Sequence, residues 1–158
     1  MVERRPAGDA DEPFLRTLYA STRPEVAEWP AHVRAQFLTQ QFDAQRTGWE
    51  TMFPGSRHEV IVVDQHPVGR IWLDWSSERC LIVDLVFLPE HRRQGLGTAV
   101  VREVIAAADL GAVPVVGHVE RTNLSSLAFW TALGFRETAG DALFIEIERS
   151  AARSSPTA

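Results

Sequence analysis

Apolar and polar positions alternate along this chain with two distinct periods, and the changes of period mark out its elements. Residues 2–7 have the length of a short edge strand. Phe14 and Leu18, with Leu15 and Tyr19, recur at i,i+4, which predicts a helix over 11–21 with Asp9 or Asp11 as its cap. A second helix is expected from about Pro30 to Met52, with Leu38, Phe42, Trp49 and Phe53 near one stripe and Pro54-Gly55 as the stop. The period then shortens. Glu59–Asp64 reads as a strand, Gln65-His66-Pro67 as a turn, and Val68–Trp75 as a strand with Ile71, Leu73 and Trp75 on one face. Leu81–Leu88 is apolar almost throughout, the pattern of a strand covered on both faces. Leu96, Val100 and Val104 set a helix over 95–109. Val113–Val119 is a strand, 124–133 a helix and Leu143–Ile147 a final strand. The order β-α-α-β-β-β-α-β-α-β predicts an α/β chain whose mixed sheet carries helices on its faces.

The chain has 158 residues, enough for one domain with a substantial core. It is expected to fold over 1–149, with the small polar residues 150–158 as a frayed tail. Apolar residues make up 45% and charged residues 23%, ordinary globular values. A net charge of −5 argues against nucleic acid as a partner, so an anionic ligand needs a local basic patch. All of the 16 basic residues counted as Lys plus Arg are Arg. The single cysteine, Cys80, opens an apolar run and is expected to be a buried structural thiol. Met-Val-Glu-Arg-Arg-Pro lacks the apolar stretch of a signal peptide, and no segment approaches the ~18 apolar residues of a membrane span. The expectation is a cytoplasmic protein with no membrane partner; a homodimer stays open.

The most informative segment is Phe87-Leu-Pro-Glu-His-Arg-Arg-Gln-Gly-Leu-Gly-Thr98. A strand ends and a helix opens within it. A helix N-terminus exposes unpaired N–H groups with partial positive charge. Gly95 and Gly97 remove the Cβ atoms that would hold an anion off, and Arg92 and Arg93 add mobile positive charge. Together they suit a pyrophosphate. A dinucleotide-binding fingerprint is excluded, because Val100 stands where its third glycine or alanine belongs and the connection is too long.

Arg92-Arg-Gln-Gly-Leu-Gly97 resembles the Q/R-x-x-G-x-G/A signature of the GNAT N-acetyltransferase superfamily. Val119-Glu-Arg-Thr-Asn-Leu-Ser-Ser-Leu-Ala-Phe-Trp-Thr-Ala-Leu-Gly-Phe135 resembles that family's second pattern, with Asn123, Gly134 and Phe135 in place. Ser126 stands where that pattern has Ala, and Trp130 where it has Tyr. The resemblance spans about Val60 to Ile147. It implies a splayed central mixed sheet flanked by helices on both faces. It implies acetyl-CoA as co-substrate, its pyrophosphate on Arg92, Arg93, Gln94, Gly95, Leu96, Gly97 and Thr98. Leu85, Val86 and Phe87 would pair their backbone with pantetheine, and Asn123, Ser126 and Trp130 would line the same cofactor.

Acetyl transfer to an amine needs a neutral nucleophile, although a free alkylammonium has a pKa near ~10. It also needs donors for the developing oxyanion, and a thiolate that can leave. Asp84 is the only charged residue between Cys80 and Leu88. A buried carboxylate there requires a partner or a cleft. It is a candidate base or ammonium anchor, or else a structural acid paired with Arg70 or Trp72. His118, near the end of a later strand, is the rival base, or a histidine bonded to backbone. Asn123 is also a natural N-cap. Trp130 cannot serve as a general acid, since an indole N–H does not transfer its proton at useful pKa. The remaining histidines show no ligand spacing, so no metal is expected. Trp29, Trp49, Trp72 and Trp75 are expected in the core or at the rim of an acceptor pocket. The competing functions are a CoA-binding regulatory domain, an enzyme using another acyl-CoA, and a tryptophan-rich protein-interaction module.

Overall fold

The computed structural model describes residues 1–152 of the chain. The strands are β1 (Val2–Pro6), β2 (Arg57–Val63), β3 (His66–Trp75), β4 (Cys80–Phe87), β5 (Val115–Glu120), β6 (Arg136–Gly140) and β7 (Phe144–Arg149). The helices are α1 (Glu12–Ala20), α2 (Ala31–Met52), α3 (Leu96–Leu110) and α4 (Leu124–Ala132). The strands form one sheet in the order β1-β2-β3-β4-β5-β7-β6. It is mixed, with β4 parallel to β5 and the pairs β1–β2, β5–β7 and β6–β7 antiparallel. Two compact units are distinguishable, one of Met1–Trp72 with Asp84–Gln94, the other of Leu73–Val83 with the described residues from Gly95 onward.

In the first unit Val60 and Val62 of β2 pack with Leu15, Tyr19 and Phe42 of α1 and α2. Successive strand residues face opposite ways. Ile61, pointing away from that cluster, is also fully buried, so β2 is covered on both faces. α2 is the exception to its sequence pattern. Only Phe42 of its residues is buried, while Leu38 and Trp49 of the expected stripe are half-buried. Asp11 precedes α1 but does not cap it with its side chain. Its carboxylate instead accepts from Arg5 at 2.7 and 2.8 Å and from the Gly8 N–H at 2.9 Å. A rigid guanidinium fork satisfies both oxygens better than one helical N–H can.

The turn expected at 65–67 is Asp64-Gln65, with φ of 48° and 67°. Two positive central φ values are the geometry of a two-residue hairpin that follows the strand twist. His66 and Pro67 therefore belong to β3. Farther along β3, a Cβ placed on Gly69 would lie 2.5 Å from the Val86 carbonyl oxygen and 2.9 Å from Phe87 Cδ1. Only glycine lets the backbones of β3 and β4 approach so closely.

In the second unit Val100, Val101, Val104, Ile105 and Ala108 form the buried face of α3, as its i,i+4 pattern requires. The β4–β5 ladder runs from Cys80↔Val115 to Ile82↔Gly117. Leu85, Val86 and Phe87 lie past its end. Cys80 is fully buried. β6 was not expected from the sequence. All of its residues are exposed, so it carries no apolar alternation. It is defined by its ladder with β7, which is irregular between Glu137 and Ala139. The segment after β7 is tied down at its start, since the Ala152 N–H donates to Asp109 Oδ1 at 2.8 Å. The rest of the expected tail, 153–158, lies outside the described residues.

Gly69→Ala is expected to destabilise the protein by about 1–3 kcal/mol, the cost of forcing a methyl group into a filled space. Urea or thermal unfolding checks this; a variant as stable as the parent would contradict the close approach.

Candidate active site

The connection from β4 to α3 is built in steps. The Leu88 N–H bonds the Val68 carbonyl at 2.9 Å, which fixes the strand end to β3. Pro89–His91 then makes a single tight turn. Arg92 is extended, with φ −78° and ψ 159°. Arg93 and Gly95 both enter the left-handed region, at φ 61° and 79°. The first helical bond of α3 is from the Ala99 N–H to the Gly95 carbonyl at 3.0 Å. The N–H groups of Leu96, Gly97 and Thr98 precede it and have no intrahelical acceptor. A Cβ on Gly95 would meet no atom within 4 Å, so the space beside the helix start is open. Backbone donors, open space and exposed arginines are what an anionic phosphate group fits.

The two arginines differ. Arg92 Nε donates to the Phe87 carbonyl at 2.8 Å, so its side chain is tied to the strand end instead of being mobile as expected. A carbonyl at the end of a strand needs a donor, and a guanidinium five residues on can reach back to it. Gln94 Nε2 likewise donates to the Glu90 carbonyl at 2.7 Å. Arg93 is exposed.

The second motif folds around α4. Asn123 is its N-cap, its side chain accepting from the Ser126 N–H at 3.1 Å. Trp130 Nε1 donates to Ser126 Oγ at 3.2 Å, one turn away. Trp130 is buried and meets Phe129 and Phe135 edge to face, at 4.9 and 5.0 Å between centroids. The two departures from the family pattern are therefore bonded to each other.

Asp84 sits on β4 in the first unit. Its Oδ2 accepts from Arg70 Nε at 2.8 Å. Trp72 is not its partner; the indole Nε1 donates to Ser56 Oγ at 2.7 Å. Burial pushes the Asp84 carboxyl above the usual carboxylate range, against the pull of Arg70 and of the Leu85 N–H. Arg70 Nη2 donates to Gln45 Oε1 at 2.8 Å, and its guanidinium carbon lies 5.3 Å from the Trp49 ring centroid. Trp49 meets Trp72 edge to face at 5.2 Å, and His58 stacks on Trp72 at 4.2 Å. Gln45, Ser56 and His58 were not among the sequence candidates, whereas Trp49 was expected in the core or at the rim of an acceptor pocket. The spacing of Gln45 and Trp49, i and i+4 on α2, was the one legible signal that pairs them.

His58 Nε2 is buried without a hydrogen-bond partner. Its pKa is lowered to about 4, first by burial and then by the charges of Arg70 and Arg46, with Asp11 acting the other way. His118 belongs to the second unit and is half-exposed. Its Nε2 lies 3.6 Å from Glu146 Oε2 on β7. Among the described residues no three His, Cys, Asp or Glu side chains group to hold a metal ion, and no helix is long and apolar enough to cross a membrane.

Residues 15–135 match the family model described as the acetyltransferase (GNAT) family. This protein belongs to the GNAT acetyltransferase family. No curated protein sequence matches it. Solved structures do. The PaiA N-acetyltransferase from Thermoplasma acidophilum, in complex with coenzyme A, superposes with a TM-score of 0.73 at 15% identity, over 95% of this chain and 99% of its own. An acetyltransferase from Thermus thermophilus gives a TM-score of 0.73 at 21% identity, over 95% and 97%. A GNAT acetyltransferase from Elizabethkingia anophelis with acetyl-CoA bound gives 0.61 at 15% identity, over 94% and 97%. These likenesses establish the GNAT fold for the mixed seven-stranded sheet.

His58 gives this GNAT protein a testable pH dependence. The unfolded chain binds the proton near pH 6.5, whereas the folded protein resists it down to about pH 4. Stability is therefore full above the upper value and is lost as pH falls through that window, by at most about 3 kcal/mol. His58→Phe keeps the stack on Trp72 and removes both the titration and the orphaned nitrogen. Its melting temperature is expected to fall less than that of the parent between pH 6.5 and 4; identical slopes would refute the assignment.

Proposed function

We propose that this protein transfers an acetyl group from acetyl-CoA directly to a primary amine. The observation that carries the reading is the start of α3. Arg92–Gly97 matches the family's pyrophosphate signature and folds into open space faced by unpaired N–H groups. In this reading Arg92, Arg93 and Gln94 surround the pyrophosphate, and the N–H groups of Gly95, Leu96, Gly97 and Thr98 bind it. Leu85, Val86 and Phe87, past the end of the β4–β5 ladder, pair with pantetheine. Asn123, Ser126 and Trp130 line the cofactor from α4.

Bound acetyl-CoA supplies the thioester carbonyl as electrophile. Asp84 takes a proton from the acceptor ammonium, or holds it while it is lost, so that a neutral nitrogen attacks. The carbon–sulfur bond breaks as the carbon–nitrogen bond forms, and the nitrogen gives its remaining surplus proton to water. Trp130 does not protonate the departing thiolate, because its N–H is held by Ser126 and is not acidic. A thiol's pKa of about 8.5 lets the thiolate leave without that proton. His118, beside Glu146, is the second candidate for the base. The indole at position 130 favours one other reading, a CoA-binding domain without turnover.

Two measurements test the proposal. Acetyl-CoA is expected to raise the melting temperature by mass action, and Gly97→Glu to abolish the shift by placing bulk and negative charge in the cradle. A folded Gly97→Glu protein that still binds would remove the cofactor assignment. Thiol release from acetyl-CoA is then followed with spermidine, benzylamine, alanine and an alanyl peptide. Turnover with any of them supports the transferase; binding with no turnover favours the regulatory reading. Asp84→Asn, whose amide oxygen still accepts from Arg70, is expected to lower turnover by roughly 10²–10⁴-fold with acetyl-CoA affinity unchanged. If His118→Gln is inactive and Asp84→Asn active, the two residues exchange roles.

A further inference from the structure

Arg70 and Asp11 are the buried charged side chains among the described residues. Asp11 is satisfied at the surface edge of the first unit by Arg5. Arg70 is different, because its partners come from two other elements. β4 supplies the Asp84 carboxylate at 2.8 Å, and α2 supplies Gln45 Oε1 at 2.8 Å and the face of Trp49 at 5.3 Å. Gln45 and Trp49 stand one turn apart and so present one neutral acceptor and one aromatic face to the same guanidinium. Neither competes with Asp84 as an anion. They fix the plane of the fork so that Nε is aimed at Oδ2.

The pair is also unevenly covered. The Arg70 side chain is 5% exposed, the Asp84 side chain 21%. A pair serving only to hold two strands together gains nothing from leaving its acid open. Here the cation is sealed, while part of the Asp84 side chain stays exposed.

We propose that Arg70 is the positioning residue for Asp84, clamped by Gln45 and Trp49 so that it holds the carboxylate in one orientation toward the acceptor amine. The inference rests on the reading of Asp84 as base or amine anchor. Burial pushes the Asp84 carboxyl up, opposed most by Arg70 and then by the Leu85 N–H. Without the guanidinium, only the Leu85 N–H opposes burial, and the carboxyl holds its proton to higher pH. Arg70 is the charged group that acts on Asp84, and the charges of Arg70, Arg46 on α2 and Asp11 before α1 act in turn on His58 of β2. Of these His58 is uncharged at neutral pH.

The test is the pH profile of kcat/KM for the full chain, with acetyl-CoA and the fastest amine of the panel above. The titration of the 13C-labelled Asp84 carboxyl is followed alongside, since it reads protonation without turnover. In Arg70→Gln the acid limb and the carboxyl titration are expected to move together to higher pH by a unit or more, with kcat at pH 7 reduced at least tenfold. Arg70→Lys keeps the charge but loses the rigid planar fork that aims separate N–H groups at Asp84 and Gln45; its limb stays in place while kcat falls. A limb and a carboxyl titration both unmoved in Arg70→Gln would overturn the inference alone, as would a parental kcat in Arg70→Lys, which carries the test if the glutamine variant does not fold. An acid limb that survives in Asp84→Asn would instead remove Asp84 as base, and this inference with it.

Discussion

The ion pair between Arg70 on β3 and Asp84 on β4 constrains most of what surrounds it. A guanidinium taken out of water is tolerated only where its N–H groups are bonded and its charge is matched. Asp84 supplies the charge, and Gln45 and Trp49 of α2 supply the remaining contacts. Removing one member of such a pair typically costs about 3–5 kcal/mol, a large share of the ~5–15 kcal/mol that holds a domain folded. The pair thereby links α2 to the sheet although that helix buries only Phe42 among its own residues. Leu38 of α2 packs against the same cluster as Phe42, and Arg46 pairs with Glu12 of α1, so apolar and polar contacts together fix where the helix docks.

Close backbone approach is the second constraint on this part of the chain. Gly69 lies one residue before Arg70, and the space where its side chain would be is filled by Val86 and Phe87. The same stretch of β4 leads into the turn whose carbonyl at Phe87 is held by Arg92. A strand end anchored this way delivers the chain to α3 with Arg93 and Gly95 in left-handed backbone, so the helix starts with its N–H groups free. The free N–H groups at the helix start follow from backbone geometry more than from side chains, with Gly95 at a φ of 79°.

α4 shows how departures from a family pattern are compensated locally. A tryptophan at position 130 brings an N–H that a buried indole has to place. Ser126, one turn earlier, accepts it, and the Asn123 cap bonds the Ser126 N–H in turn. The chain Asn123, Ser126, Trp130 is self-satisfied, so the indole is fixed in place with its N–H already used.

Much of this was legible in the amino-acid sequence. The i,i+4 pattern of Leu96, Val100 and Val104 announced α3, the apolar run after Cys80 announced β4, and Arg92–Gly97 announced the turn that opens α3, because each depends on residues close together in the chain. β6 was not legible: its five residues are all exposed, and only its ladder to β7 makes them a strand. The Asp64-Gln65 turn was misplaced because two positive φ values on non-glycine residues leave little mark in composition. Asp84 was recognised as an acid that needed a partner, with Arg70 and Trp72 both open. The choice of Arg70, and the enlistment of Gln45, Trp49 and His58 around it, was settled only by tertiary structure. Local propensity reads contacts a few residues apart, whereas a buried charge is satisfied by groups brought from distant segments, and which of them arrive is decided by how the strands and α2 pack.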